Sequence, residues 1–356
     1  MIQLHFVGAE GKYQSIETQA VRIHENLVRV GGDRVESRLS LLSQDFFCRR
    51  GLLRRAPTRA MEALLDETHV LIVVKSSLFR EFLKVAPQLR EMCRRRGVVL
   101  VSNPCDGPGA DTGNTQDVFS DRIADYAFAV SRLQREAMAK MRAPEEVLLV
   151  AHASRLETSA RLQPRPTVRK VLWENAIHHN PRYDPRKVGM PQEKYQELED
   201  SIAELLGERG AELLFIDAWR ETQTYEEWEQ AVLDADIAIE CKALGSQYID
   251  YQSQKPAVKV LNYMSLGLPV VCDSLPAYRD LGEEGKELLF ADTLEEWRSQ
   301  LTRLLDDLDL RVRLGEAARK AAEPYSIDRV CERYMDFFER ITSGPAVGAR
   351  VASVKA

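Results

Sequence analysis

Most of the signatures that settle a function at sight are missing from these 356 residues. No window approaches 18 consecutive apolar residues, which argues against a membrane-spanning helix. The start, Met1-Ile2-Gln3-Leu4-His5-Phe6, has neither a basic n-region nor a long apolar core, so it reads as a first strand and not as a signal peptide. Cys48, Cys93, Cys105, Cys241, Cys272 and Cys331 never form a C-x-x-C pair. No zinc site or disulfide framework follows, and a reduced, cytoplasmic compartment is expected. His178 and His179 are adjacent, but no third histidine or carboxylate is placed to complete a metal set, and sequence neighbours point apart, so no metal is expected. An excess of positive charge is lacking as well. The net charge of −6 argues against a general nucleic-acid binder.

What is present is a globular composition, 44% apolar and 29% charged, on a chain long enough for two domains. Residues 2–7 lead through Gly8-Ala9-Glu10-Gly11 into a helical period over Ile16, Ala20, Ile23, Leu27 and Val30, the opening of a doubly wound α/β domain. No G-x-G-x-x-G accompanies it, so a dinucleotide site has little support. The bland role for Gly8 is a tight turn; the sharper one is close backbone approach to a substrate. Further strands are expected near 35–42, 69–74, 98–102, 124–130 and 146–150, with Ser131 as a helix N-cap. Residues 156–167, polar and carrying Pro164 and Pro166, read as linker. Beyond them, runs at 168–173, 212–216, 236–239 and 268–272 repeat the alternation, and 327–341 is a last amphipathic helix before a frayed tail. Arginines cluster at Arg49, Arg50, Arg54, Arg55 and Arg59, and again at Arg90, Arg94, Arg95 and Arg96. A solvated helix face is the plain reading, and contact with an anionic membrane surface the sharper one.

The most informative stretch is Lys255-Pro256-Ala257-Val258-Lys259-Val260-Leu261-Asn262-Tyr263-Met264-Ser265-Leu266-Gly267-Leu268-Pro269-Val270-Val271. It predicts a short helix opening at Pro256, with Val258, Leu261, Met264 and Ser265 on one face, stopped at Gly267 and feeding a buried strand. Lys255 and Lys259, one turn apart at the positive end of that helix, suggest that an anion belongs there.

This stretch resembles the donor-binding helix of GT-B glycosyltransferases, and the match runs on through Asp273-Ser274-Leu275-Pro276-Ala277-Tyr278-Arg279-Asp280-Leu281. Trp297, Leu304-Leu305-Asp306-Asp307, Leu314-Gly315 and Tyr325-Ser326 continue it, so that about the last third is similar to a group-1, family-4-like transferase of the bacterial polysaccharide type. The resemblance implies an α/β GT-B fold: two doubly wound Rossmann-like domains facing across a cleft, with a C-terminal helix crossing back to the first. It places an acceptor domain at 1–160, a donor domain at 161–325, the crossover helix at 326–342 and a tail at 343–356. It implies a nucleotide-sugar donor, a glycan or lipid-linked acceptor, no metal and retention of configuration; the cysteines and the basic clusters add the expectation of a cytoplasmic enzyme with peripheral contact at the inner face of a membrane.

Its site residues carry over position by position. Lys255 and Lys259 would meet the diphosphate, with Tyr278 in the Pro-x-Tyr turn beside it and Asn175 in a loop lining the cleft. Gln254 and Asn262 stand where many retaining members carry two glutamates, which puts retention and the sugar or ribose contact in doubt. In the first domain, Lys75 and Asp106 follow strand ends as in polysaccharide-type relatives. His152 lies where relatives show a Pro-(His/Asn)-Gly turn; here the turn reads Ala151-His152-Ala153. If the reaction inverts, Glu10 or Asp106 is the candidate base. Two other classes stay open: a catalytically inactive GT-B protein that binds a nucleotide or a partner, and a GT-B nucleotide-sugar epimerase.

Overall fold

In a computed structural model of the chain, the apolar runs of each half assemble into one parallel sheet. The structure describes residues 1–11, 16–47, 56–79, 81–105, 119–150, 152–154, 163–174, 191–216, 225–245 and 255–343. The chain divides into two units, Met1–Ala153 with Ile327–Ala356, and Ser154–Ser326.

The first unit holds β1 (Ile2–Ala9), β2 (Val35–Leu42), β3 (Val70–Val74), β4 (Val99–Asn103), β5 (Tyr126–Ala129) and β6 (Val147–Leu149), in the order β2-β1-β3-β4-β5-β6. Every pairing is parallel. The helices α1 (Arg22–Gly31), α2 (Ala56–Leu64), α3 (Phe82–Arg96) and α4 (Arg132–Ala139) alternate with the strands. Because side chains alternate across a strand, Leu4, Phe6, Ile72 and Val101 fill one core, and Val7, Leu71, Val73 and Leu100 the other. Ser131 caps α4 by accepting from the Gln134 amide at 3.2 Å, as its sequence position predicts. The chain runs from β1 to β2 on one side and then returns to β3 on the other. Ligands of open α/β sheets bind outside the carboxyl ends at such a reversal.

The second unit holds β7 (Lys170–Glu174), β8 (Glu212–Ile216), β9 (Ile237–Glu240), β10 (Val270–Cys272) and β11 (Leu289–Phe290), in the order β11-β10-β9-β7-β8, again all parallel. Here the reversal falls between β7 and β9. Its helices are α5 (Gln192–Gly207), α6 (Tyr225–Leu233), α7 (Val258–Leu266), α8 (Pro276–Arg279), α9 (Leu294–Asp306) and α10 (Leu308–Ala322). A last helix, α11 (Ile327–Thr342), belongs to the first unit, where Tyr334 and Phe337 pack edge-on against Phe128 with ring centroids 4.9 and 5.4 Å away.

Two expectations are corrected. Helix α7 starts at Val258 with Ala257 as its N-cap, so Pro256 lies ahead of the helix and not in its first turn. Nor does α7 have one apolar face: residues 260–266 are all buried, because the helix is packed on more than one side. Its end is as predicted. Gly267 takes a left-handed conformation (φ +77°), donating to the Met264 carbonyl while Leu268 donates to that of Tyr263. A Cβ on Gly315 of α10 would stand 2.2 Å from the Gly267 carbonyl oxygen, so the two glycines set how closely that turn and α10 approach.

Candidate functional site

The two strands that flank the reversal in the five-stranded sheet both end in a buried glutamate, Glu174 on β7 and Glu240 on β9. The neighbouring β10 is followed at once by the buried Asp273. Three acids at the carboxyl edge of one sheet, otherwise built from apolar residues, need counter-charges. Lys259, in the first turn of α7, supplies one. Its ammonium donates to the Glu174 carbonyl oxygen and stands 4.0 Å from Glu174 Oε1 and 3.8 Å from Glu240 Oε2. Lys242, two residues past β9, lies 2.8 Å from Glu240 Oε1. Tyr263, one helical turn beyond Lys259, donates its hydroxyl to Glu174 Oε2 at 3.1 Å. Asp273 accepts from the Lys242 amide, from the Ala243 amide at 3.0 Å and from the Cys241 thiol at 3.4 Å.

Burial and charge oppose each other here. Burial pulls the Lys259 ammonium down, but Glu240 and Glu174 together outweigh it, and its pKa ends above the ordinary lysine value. Burial pushes the Asp273 carboxyl up to about 7, against the pull of the Lys242 and Ala243 amides. Burial, reinforced by Glu174 and Glu240, drives the Tyr263 hydroxyl well above its usual range, so it stays a donor. Tyr278, on α8, is 1% exposed and its hydroxyl has no hydrogen-bond partner. Lys242 Nζ sits 5.6 Å from the centre of its ring.

The residues singled out from sequence are distributed unevenly about this edge. Lys259 and Tyr278 belong to it. Contrary to expectation, Lys255 does not share a helical turn with Lys259; it lies three residues ahead of α7, partly exposed. Asn262 is buried on another side of α7, its Oδ1 3.5 Å from the Ser154 hydroxyl. Gln254, Asn175 and Asp106 lie outside the described residues.

In the six-stranded unit, Glu10 follows β1 directly at that sheet's own reversal, exposed, with its amide donating to the Leu42 carbonyl. Gly8 is inside β1 and not in a turn; a Cβ there would meet Ile16 at 3.2 Å, so its smallness makes room for that side chain. Lys75 and Cys105, just past the neighbouring β3 and β4, are held at φ +49° and +66°, backbone that non-glycine residues adopt at a cost. His152 is 4% exposed. Of the arginine clusters, Arg94 and Arg95 pair with Glu91 and Arg96 with Asp66, the pattern of a solvated face. Arg49, Arg50, Arg54 and Arg55 lie outside the described residues. Among the described residues no three His, Cys, Asp or Glu side chains cluster as a metal site, and no helix is long and apolar enough to cross a membrane.

Glu174, Glu240, Asp273 and Lys242 were not among the sequence candidates. The available signal was an acid directly closing an otherwise apolar strand, repeated on three strands that prove to be neighbours.

A family model described as glycosyl transferase-like matches residues 204–336, a span that takes in β8 to β11 and the whole of α7. Anabaena HepE in complex with UDP-glucose superimposes with a TM-score of 0.64 at 12% identity, covering 97% of this chain and 100% of that one. The fold is GT-B, and residues 204–336 are glycosyl transferase-like. A glycosyltransferase from Rickettsia africae matches with a TM-score of 0.63 at 9% identity, over 96% of this chain and 99% of that one. A putative UDP-N-acetylglucosamine 2-epimerase from Listeria monocytogenes matches at 0.55 and 11% identity, over 96% of each. No curated protein matches the chain by sequence.

Proposed function

We propose that this chain transfers a sugar from a nucleotide-sugar donor to a hydroxyl of a glycan or lipid-linked acceptor, with no metal taking part and with retention of configuration. The observation that carries the reading is the carboxyl edge of the five-stranded sheet. Its reversal between β7 and β9 lies beside the N-terminus of α7, and β9 and α7 fall within the span that matches the glycosyl transferase-like model. The donor would bind in this unit, with its diphosphate against the free amides at the start of α7, which no side chain caps, and against Lys255. These groups would stabilise the negative charge that develops on the leaving nucleoside diphosphate. The bound UDP-glucose of Anabaena HepE supports this class of donor.

The six-stranded unit would offer the acceptor. Exposed Glu10, at that sheet's reversal, is better placed than buried His152 to take a proton from an incoming hydroxyl should the reaction invert; Asp106 stays a third candidate. Retention would need no such base, and departing phosphate oxygen would take the proton instead.

The test is thermal unfolding against UDP, GDP, dTDP, ADP, CDP and CMP, followed by incubation with the matching nucleotide sugar. A ligand at a hundred times its dissociation constant adds about 2.7 kcal/mol of stability. One nucleotide should stabilise the chain, and its nucleotide sugar should be consumed faster when a glycan acceptor is present. Binding without turnover would favour the inactive, binding-protein reading. Interconversion of the free nucleotide sugar without acceptor would favour an epimerase.

A further inference from the structure

Glu240 is the group that the fold leaves unexplained. Its carboxylate is 0% exposed, and neither oxygen accepts a hydrogen bond. Lys242 at 2.8 Å and Lys259 at 3.8 Å face it without hydrogen-bond geometry. A buried carboxylate whose cations do not meet it along hydrogen-bond directions recovers only part of what it loses with its water on folding. Glu174 Oε1 and the Tyr278 hydroxyl, in the same cluster, are buried and without hydrogen bonds too. Glu240 and Tyr278 hold separate elements, a strand end and a short helix, so one local distortion does not account for both.

What would satisfy these atoms follows from their chemistry. A phosphate would bring negative charge against Glu174 and Glu240, whose two ammonium partners are already engaged. A neutral group with O–H donors meets no such repulsion, and a charged acceptor makes the stronger hydrogen bond. A ligand would reach them past Lys242, whose side chain is 17% exposed on a flexible stem.

We propose that Glu240 is a binding residue for hydroxyl groups of the nucleotide sugar, accepting from its ribose or from its transferred sugar, while the diphosphate lies nearer the start of α7. The inference rests on the donor reading above and assigns the neutral end of the ligand to a residue that the sequence did not single out.

The experiment is calorimetric titration of the full chain and of Glu240→Gln. One arm uses UDP, GDP, ADP and CDP with their 2′-deoxy and 3′-deoxy counterparts; the other compares UDP-glucose with UDP. A hydrogen bond to a charged group predicts that deleting the contacted hydroxyl weakens binding to the wild type about tenfold or more, and binding to Glu240→Gln much less. Loss with the deoxyribonucleotides assigns the ribose; a UDP-glucose advantage over UDP that disappears in Glu240→Gln assigns the sugar. If Glu240→Gln does not fold, the ligand series on the wild type still decides. Full affinity for every deoxyribonucleotide, with no gain from the sugar, overturns the proposal while the donor reading stands. Failure of every nucleotide and of UDP-glucose to bind the wild type overturns both.

Discussion

Lys259 is the residue on which the carboxyl edge of the second unit depends, because one ammonium faces two buried carboxylates. Replacing it with methionine keeps the stem but leaves Glu174 without a cation and Glu240 with Lys242 alone. Removing one partner of a buried pair costs about 3 to 5 kcal/mol. Lys259→Met is therefore expected to lower the urea midpoint sharply, and adding Glu240→Gln to recover part of the loss, a coupling that a double-mutant cycle reads directly. Asp273 makes a second prediction. Its folded pKa of about 7 is raised above the ordinary aspartate value, so the folded state holds a proton that the unfolded state has released. That contribution is complete below about pH 4 and is lost as pH rises through 7. The stability of Asp273→Asn should fall less between pH 4 and 7 than that of the wild type, as compared by denaturant titration across that window.

At the scale of elements, the close approach of α10 to the end of α7 is set by glycine. Gly315→Ala puts a methyl 2.2 Å from the Gly267 carbonyl oxygen, where only backbone could give way. Overpacking of this kind costs about 1 to 3 kcal/mol, and the expected result is a lower thermal midpoint with weaker nucleotide binding, since α7 moves with its turn. Gly267 was legible in the sequence because a helix stop before a buried strand asks for a left-handed residue. The start of α7 was not. A proline suits the first turn of a helix, but it also suits the extended residues ahead of one, and only the observed N-cap at Ala257 separates the two. Strand β11 escaped for another reason: two residues carry no period.

At the scale of the molecule, the alternation of apolar strands and amphipathic helices was enough to anticipate both sheets, since parallel strands buried on two faces read as unbroken apolar runs. Which strand ends meet was not legible. Glu174 and Glu240 are 66 residues apart in sequence, and they become neighbours only because β9 crosses back to pair with β7. The same limit hid the partners of Lys259. Helix α11 joins the six-stranded unit from the far end of the chain, through Tyr334, Phe337 and Phe338 around Phe128. Phe338→Ala is expected to destabilise that unit by about 3 to 5 kcal/mol, as large core truncations do, while a nucleotide continues to protect the other. Calorimetry with and without the nucleotide would separate the two transitions.

The central claim is that the donor binds at the carboxyl edge of the five-stranded sheet, and backbone hydrogen exchange with and without a saturating nucleotide sugar tests it most directly. The account predicts slower exchange in the residues just past β9 and through the first turn of α7, at 241–245 and 257–261. Protection confined to the six-stranded unit, or none in either segment when binding is saturated, would contradict it.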